Sequence, residues 1–310
     1  MRAKSILISP VTIDANGVCE AQTPAAAGNL LLNGALGAGY DADGICAAQT
    51  PAAAGDLTIA GALTAGGAYI TTDPRRISIT SDADESGDTY TITGTDKRDA
   101  VLIEAIAGPN TTIVETTGEF KTVNTVAVSG AGTGNITVGT VGTATFTQPC
   151  HVSITSDGDD SGDTYTITGT DRYGVELVEA ITGPDTETVK GNYNFATIRK
   201  VAVSGAGTGN ITLGNADELE SQWIQMDRYG GDISVGVTCA SENYTYAIQH
   251  TFTDIQTDGF QEQDANSIVH ATLTGETATA NGSYSTPINA MRLAITSFVA
   301  GTATIEIIQA

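Results

Sequence analysis

Residue types needed for several common functions are scarce in this 310-residue chain. It has 13 Lys and Arg against 36 Asp and Glu, a net charge of -23, so it lacks the basic clusters that neutralise phosphates. Three His and one Trp offer little material for a metalloenzyme site or an aromatic-lined pocket. No apolar run approaches the ~20 residues of a membrane span. The composition therefore predicts a protein that binds neither nucleic acid nor membrane.

The N-terminal residues do not resemble a secretory signal. The only apolar run in Met1–Asp14 is Ile6-Leu7-Ile8, whereas a signal peptide needs roughly 7–15 apolar residues. The four cysteines, Cys19, Cys46, Cys150 and Cys239, lie far apart and form no CxxC pair. This spacing predicts no zinc site.

Threonine and glycine are abundant instead, with 48 Thr and 36 Gly. β-branched side chains suit strands and glycine suits turns, so this composition predicts an all-β protein. Hydrophobic residues make up 40% of the chain and charged residues 16%, which is too apolar for simple disorder. The length fits about two to four modules.

A long internal repeat dominates the sequence. Residues 77–139 match residues 152–214 without a gap, at an offset of 75 positions. ISITSDADESGDTYTITGTD in the first copy corresponds to VSITSDGDDSGDTYTITGTD in the second, and VAVSGAGTGNIT is identical in both. Apolar and polar residues alternate within each copy, which is typical of half-buried antiparallel strands. We therefore predict two small β-sandwich modules, at 75–148 and 149–215.

A shorter repeat precedes the modules. DANGVCEAQTPAAAGNLLLNGAL at 14–36 matches DADGICAAQTPAAAGDLTIAGAL at 41–63, an offset of 27. Units this small, rich in Ala and Gly, cannot bury a core alone. We therefore predict that residues 1–74 form an extended arm that becomes ordered by lying on another surface.

The C-terminal residues 216–310 match neither repeat. Alternation at Ile233, Val235 and Val237 predicts a strand, and Asn281-Gly282 is typical of a hairpin turn. This region is predicted to be a separate β-sandwich. The complete prediction is an all-β chain: an extended Ala/Gly-rich N-terminal arm, tandem duplicated small β-sandwich modules, and a C-terminal β-sandwich domain.

The duplicated acidic turn is the clearest candidate site. Its oxygen-bearing side chains have the spacing of positions 1, 3 and 5 of a calcium loop, with Gly at position 6 and a further Asp directly after it. These are Asp82, Asp84, Ser86 and Asp88 in the first copy, and Asp157, Asp159, Ser161 and Asp163 in the second. Position 12 is Thr93 or Thr168, so the bidentate Glu of such a loop is missing. The alternative is a solvated turn in which Asp and Ser bond their own backbone.

Cys19 and Cys46 occupy matching positions of the two arm repeats. If the Gly-rich arm is exposed, these thiols are candidates for inter-subunit disulfides. The alternative is that they are buried and act as small apolar residues.

No catalytic constellation stands out. His151, His250 and His270 lie in unrelated contexts, and the chain lacks a nucleophile elbow, a P-loop and an HExxH motif. We therefore do not expect an enzyme. A group of aromatic residues in the C-terminal region is interpreted either as a binding patch or as core: Trp223, Tyr229, Tyr244 and Tyr246.

Several motifs in combination resemble one family. SITS-x-x-x-x-SG-x-TYTITGTD, V-x-VSGAGTGNIT, the upstream AQTPAAAGNLLLNGAL and the terminal GTATIEIIQ are similar to β-modules of virion structural proteins of tailed bacteriophages, of the capsid-decoration or head-fibre type. The resemblance spans nearly the whole chain. It implies a structural protein of the virus particle. We expect such a protein to be made in the host cytoplasm and carried on the outer surface of the virion. Its implied partners are the major capsid protein, other virion proteins and further copies of itself, for example in a homotrimer.

Three functions are therefore weighed. The favoured hypothesis is a capsid decoration, cement or head-fibre protein whose arm lies along neighbouring capsid subunits. No cofactor is expected, and calcium at the acidic turns is the one candidate. The alternative is a neck, tail or receptor-binding component that uses residues 216–310 as an adhesin. The second alternative is a β-sandwich carbohydrate-active protein, which would need two buried carboxylates at a fixed separation.

Overall fold

The chain is all-β throughout the part described by the computed structural model, residues 2–9, 12–111, 113–227, 230–240, 244–299 and 301–309. The single helical element within these ranges is a 3₁₀ turn at Glu262–Asp264. No helix among the described residues is long and apolar enough to span a membrane. Tyr229 of the predicted aromatic patch lies outside the described residues.

Twenty-nine strands follow one another along the described chain. The arm contains β1 (Arg2–Ile8), β2 (Cys19–Gln22), β3 (Gly28–Asn29), β4 (Gly37–Ala38), β5 (Asp41–Gln49), β6 (Gly55–Asp56) and β7 (Thr64–Ala65). The first module contains β8 (Ala68–Arg75), β9 (Ile77–Ser81), β10 (Thr89–Thr95), β11 (Val101–Ala107), β12 (Ile113–Glu115), β13 (Phe120–Val128) and β14 (Ile136–Thr140). The second contains β15 (Thr143–Cys150), β16 (Val152–Ser156), β17 (Thr164–Thr170), β18 (Glu176–Thr182), β19 (Thr188–Lys190), β20 (Phe195–Val203) and β21 (Ile211–Asn215). The C-terminal region contains β22 (Leu219–Glu220), β23 (Ile224–Gln225), β24 (Ile233–Cys239), β25 (Tyr244–Thr251), β26 (Ile268–Glu276), β27 (Ala280–Tyr284), β28 (Ala290–Phe298) and β29 (Ala303–Gln309).

The two modules share one architecture of two antiparallel sheets. In module 1 the sheets are β11-β10-β13-β8-β7 and β12-β9-β14-β5. In module 2 they are β18-β17-β20-β15-β4 and β19-β16-β21-β2. The alternation predicted from sequence sets the faces: Tyr165 and Ile167 of β17 are fully buried, and Thr166 between them points away from the core.

The C-terminal sandwich pairs the first strand of the chain with the last. Its sheets are β1-β29-β24-β27 and β22-β28-β25-β26. β1 runs antiparallel to β29 over its whole length, from Arg2 opposite Gln309 to Ile8 opposite Ala303. β1 and β29 are therefore neighbours in one sheet.

The arm pairs with the modules in reverse order. β2 of the first arm repeat pairs with β21 of module 2, and β5 of the second arm repeat pairs with β14 of module 1. We expected residues 1–74 to lie along neighbouring subunits, but their strands complete sheets of their own chain. The reversal arises because the β7–β8 hairpin turns the chain back, so the repeat nearest the turn meets the module nearest the turn.

Local chemistry explains why these short repeats fit the modules. A Cβ on Gly139 or Gly214 would collide with the backbone oxygen of Asp41 or Asp14, so glycine permits the close approach of arm and module. Gln22 ties its own repeat together, because its side chain donates to Leu31 O at 3.0 Å and accepts from Leu31 N at 2.9 Å. Gln49 forms the matching pair of hydrogen bonds with Thr58.

The segments between the repeats are strands rather than linkers. β8 begins before the predicted boundary at residue 75, and β15 crosses the predicted boundary between 148 and 149. β15 pairs with β20 of module 2, because Ala144, Phe146 and Cys150 turn into that core. Each module therefore starts with a strand that lies before its copy of the long repeat.

Candidate functional site

The acidic turns bind the glycine-rich loop of their own module. Asp82 accepts hydrogen bonds from Asn135 N at 2.6 Å and Asn135 Nδ2 at 3.0 Å. Asp84 accepts from Ser86 N at 2.9 Å, and Asp88 accepts from Ser129 Oγ at 2.9 Å. The bonds from Asn135 hold the pKa of the Asp82 carboxyl below its usual value.

The second module repeats these contacts. Asp157 accepts from Asn210 N at 2.5 Å and from Asn210 Nδ2 at 3.0 Å. Asp159 accepts from both the backbone N and the Oγ of Ser161, and Asp163 Oδ1 accepts from Ser204 Oγ at 3.0 Å. The same arrangement in two copies reflects their shared sequence.

A buried carboxylate between the exposed ones was missed by the sequence analysis. Glu85 is 2% exposed, and its Oε1 accepts from Thr133 N, Thr133 Oγ1 and Gly134 N at 2.6–2.9 Å. Asp160 takes the same place in module 2 and accepts from Thr208 N at 2.7 Å. This carboxylate holds the SGAGTGN loop against the acidic turn.

These contacts favour the turn interpretation over the calcium interpretation. The carboxylates are directed at N–H and O–H donors of their own module. Within the described residues, no three His, Cys, Asp or Glu side chains converge as metal ligands would. A cation at these turns would have to displace existing hydrogen bonds.

The cysteines of the arm are in the core. Cys19 and Cys46 are both 0% exposed free thiols, opposite Leu213 of β21 and Val138 of β14. Burial raises the pKa of the Cys46 thiol to about 12 and that of Cys19 further still. Our prediction of inter-subunit disulfides assumed an exposed arm, and the pairing with the modules removes that exposure. Both thiols act as small apolar side chains.

The predicted aromatic patch is also core. Trp223, Tyr244 and Tyr246 are 6%, 2% and 0% exposed. Tyr246 Oη donates to Ala278 O at 2.7 Å, which satisfies its hydroxyl inside the sandwich. These residues therefore provide no exposed surface for an adhesin.

Charged side chains converge instead at the junction between module 2 and the C-terminal sandwich. His151 follows β15, and its Nε2 lies 2.8 Å from Glu220 Oε2 of β22. Its Nδ1 lies 3.6 Å from Glu218 Oε2. Asn194 Nδ2 donates to the same Glu220 oxygen at 2.5 Å, and Lys190 Nζ lies 2.7 Å from Glu218 Oε1.

Two arginines extend this network. Arg172 of module 2 contacts Glu262 at 3.0 Å and donates to Glu220 O at 2.7 Å. Arg292 of β28 lies 3.5 Å from Glu220 Oε1 and stacks on the Trp223 ring at 4.5 Å. A cleft of about 240 Å³ opens here, and Leu177 forms part of its wall.

The network stabilises charged forms of its members. Burial lowers the pKa of His151, but the neighbouring carboxylates of Glu218 and Glu220 outweigh burial and raise it to about 9. Burial raises the pKa of Glu220, but His151 and Arg292 outweigh it and bring the value to about 2. At neutral pH the junction is therefore held by an ion pair.

A second junction joins module 1 to module 2. Module 1 uses there the same part of its surface that module 2 uses against the C-terminal sandwich. Arg76 stands at the repeat position of His151, pairs with Glu115 at 2.6 Å and donates to the carbonyl of Arg199 in module 2. Glu119 lies 3.9 Å from Arg199 Nη1. The three units are therefore stacked head to tail, in the order module 1, module 2 and C-terminal sandwich.

Sequence reasoning missed both junctions, although the repeat contained a signal. Charge differs between the copies at Glu115 and Lys190 and at Thr125 and Lys200, whereas core positions are nearly identical. A difference of charge within a close duplication marks a position whose environment differs, and Glu115, Lys190 and Lys200 lie at the junctions.

Comparisons with known proteins add little to this picture. No protein-family model matches the chain, and no curated protein matches it. A solved structure titled "The Triple Jelly Roll Fold and Turret Assembly in an Archaeal Virus" is similar at 10% identity, over 84% of this chain and 89% of that chain, with a TM-score of 0.18.

Proposed function

We propose that this chain is a structural protein of a tailed-phage virion, a capsid decoration, cement or head-fibre protein that binds and stabilises the capsid exterior. The resemblance of its β-modules to such proteins suggests the class. The observation that carries the proposal is the path of the arm, which pairs with the C-terminal sandwich, module 2 and module 1 in turn.

This path gives the stack mechanical continuity. If module 1 separates from module 2, the contacts of Arg76 and Glu119 with module 2 break. The arm nevertheless still connects both modules to β1 in the C-terminal sheet. The acidic turns and the junction charges are engaged in contacts within the chain. A chain whose units are tied together in this way suits a protein that must stay folded on a particle surface, and we assign it no catalytic step.

The internal pairing of the arm changes how we expect the chain to contact the capsid. Because the arm is paired internally, contact with the capsid has to come from the outer surfaces of the stacked units. The net charge of -23 suits an exterior position, where it repels both DNA and other particles.

The test is to locate and count the chain on purified particles and to add it back to particles that lack it. We expect many copies on the shell, co-sedimentation of the added chain with the particles, and a higher temperature of genome release. A handful of copies at the tail tip would contradict the decoration role and favour the neck, tail or receptor-binding alternative. Absence from particles would contradict both.

A further inference from the structure

The C-terminal sandwich brings together two histidines that lie in unrelated sequence contexts. His250 of β25 and His270 of β26 both contact the ring of Tyr284 in β27, with centroids 5.1 and 4.6 Å from that of the tyrosine. His270 is only 7% exposed. A titratable ring that the proposed function does not use is therefore buried where strands of both sheets meet.

Strand β26 is bulged at His270. Its register with β25 sets four residues, His270–Leu273, against the single residue Ile248. β26 is also the last strand of its sheet, so among the described strands none pairs with its other edge. The amides inside the bulge therefore need an acceptor other than the regular ladder.

The His270 side chain supplies that acceptor. Its Nδ1 accepts hydrogen bonds from Thr272 N and Leu273 N, both at 3.2 Å, and Thr272 Oγ1 lies 3.3 Å away. Its Nε2 lies 3.3 Å from the carbonyl oxygen of Ser283 in β27. A backbone N–H can only donate and a carbonyl can only accept. The ring is therefore neutral, with its lone pair on Nδ1 and its proton on Nε2.

The strand that faces the bulge leaves room for the ring. A Cβ on Gly282 would lie 3.0 Å from His270 Cε1 and 2.9 Å from Leu273 Cδ1, so glycine lets both side chains approach β27 closely. The sequence predicts a hairpin turn at Asn281-Gly282, but both residues lie within β27. His270 thus joins the bulge of one sheet to a strand of the other.

We propose that His270 is an acid-sensitive latch: protonation of its Nδ1 opens the bulge of β26 and releases this edge of the C-terminal sandwich from β27. A proton on Nδ1 would point at the N–H groups of Thr272 and Leu273. It would remove their acceptor and leave an imidazolium ion buried. Because β26 is an edge strand, it can move outward and give the charged ring access to water.

The groups around the latch do not compensate a positive charge on it. His250 of β25 and Tyr284 of β27 face the ring, and Glu276, the carboxylate of β26, stands opposite Tyr246 at the far end of the strand. Within the described residues, no carboxylate forms an ion pair with His250 or His270, in contrast to the pairs of the junction histidine. Burial raises the pKa of Tyr284, so its hydroxyl stays neutral.

His250 responds to acid differently. Burial and the neighbouring His270 hold its pKa below the usual value. Its Nδ1, however, lies 3.2 Å from Tyr284 Oη, and a hydroxyl can either donate or accept. Protonation of His250 therefore reverses this hydrogen bond, whereas protonation of His270 breaks two.

The experiment is hydrogen exchange of the full chain at about pH 7.5 and about pH 5.5, read by mass spectrometry of peptic fragments and corrected for the intrinsic effect of pH. The closed form binds fewer protons than the open form, so its stability is complete above about pH 6.5 and falls below it by a factor of roughly 1 + 10^(6.5 − pH). We expect protection of β26 to drop about tenfold at the lower pH. The fragment covering β17 in module 2 is the internal reference and should not change.

Two variants separate the two rings. His270→Asn keeps an oxygen acceptor close to the position of Nδ1 and cannot be protonated near neutral pH, so protection of β26 should be equal at both pH values. His250→Asn is the matched control, because it removes the other imidazole and should keep the tenfold loss. ¹⁵N NMR of the wild-type imidazoles is a second measurement that needs no variant to fold, and it should show Nδ1 of His270 without a proton at about pH 7.5.

Equal protection of wild-type β26 at both pH values would overturn the proposal. So would a loss that persists in His270→Asn, a loss that His250→Asn abolishes, or a proton on Nδ1 of His270 at about pH 7.5. The latch does not depend on the proposed function, because absence of the chain from particles would leave each of these results unchanged.

Discussion

His151 Nε2 lies 2.8 Å from Glu220 Oε2, and this contact joins module 2 to the C-terminal sandwich. Glu220 also lies beside Arg292, so one buried carboxylate balances two cations. Removing one partner of a buried ion pair leaves the others unpaired in a medium of low dielectric constant. Module 2 and the C-terminal sandwich share one continuous hydrophobic core at this junction. We therefore expect loss of the ion pair to destabilise both units.

Glu220→Gln should therefore lower the free energy of unfolding by about 3–5 kcal/mol. Urea denaturation of the full chain measures this change. Glu306→Gln, at an exposed position of β29 in the same sandwich, is the control and should cost less than about 0.5 kcal/mol. Equal effects of the two substitutions would show that the junction ion pair contributes nothing specific.

The junction should also make stability depend on pH. The pKa of His151 is raised to about 9 from its usual 6.5, so the folded chain binds more protons than the unfolded chain between these values. Its contribution is complete below about pH 6.5 and is lost as the pH rises towards 9. Free energies of unfolding across this window should fall more steeply for the wild type than for His151→Gln. Parallel curves would contradict a charged His151.

The cysteines should react in an order set by burial. Cys239 is partly exposed, whereas Cys19, Cys46 and Cys150 are buried with a raised thiol pKa. A thiol reagent should label Cys239 first under native conditions and the other three only after unfolding. Non-reducing gels of the native protein should show no crosslinks through Cys19 or Cys46. A ladder that disappears in Cys19→Ser would mean that the arm leaves module 2.

Calcium removal should have little effect. Asp82 and Asp157 already accept hydrogen bonds from Asn135 and Asn210, so a chelator should leave the melting temperature unchanged at constant ionic strength. Differential scanning calorimetry with and without chelator tests this expectation. A drop that added calcium reverses, and added magnesium does not, would restore the calcium interpretation.

The sequence predicts some parts of this molecule well because the signal there is local. Alternation at Tyr165 and Ile167 follows from the period of a strand, and the duplication transfers each prediction to the other copy. The partner of the arm is not a local property. Both repeats run in the same order along the chain, yet the hairpin at β7–β8 pairs them in reverse. Cys19 illustrates the consequence: a Gly-rich context indicates exposure, and only the pairing with β21 reveals burial.

The paired arm is the central claim, and hydrogen exchange of the full chain tests it most directly. Backbone amides of β2 and β5 should be protected to the same degree as their partners in β21 and β14, because each pair opens as one unit. Mass spectrometry of peptic fragments covering residues 15–50 resolves the two arm repeats. We predict slow exchange of both, lost together with that of the modules on unfolding. Exchange of the arm within seconds, while β14 and β21 stay protected, would contradict the account.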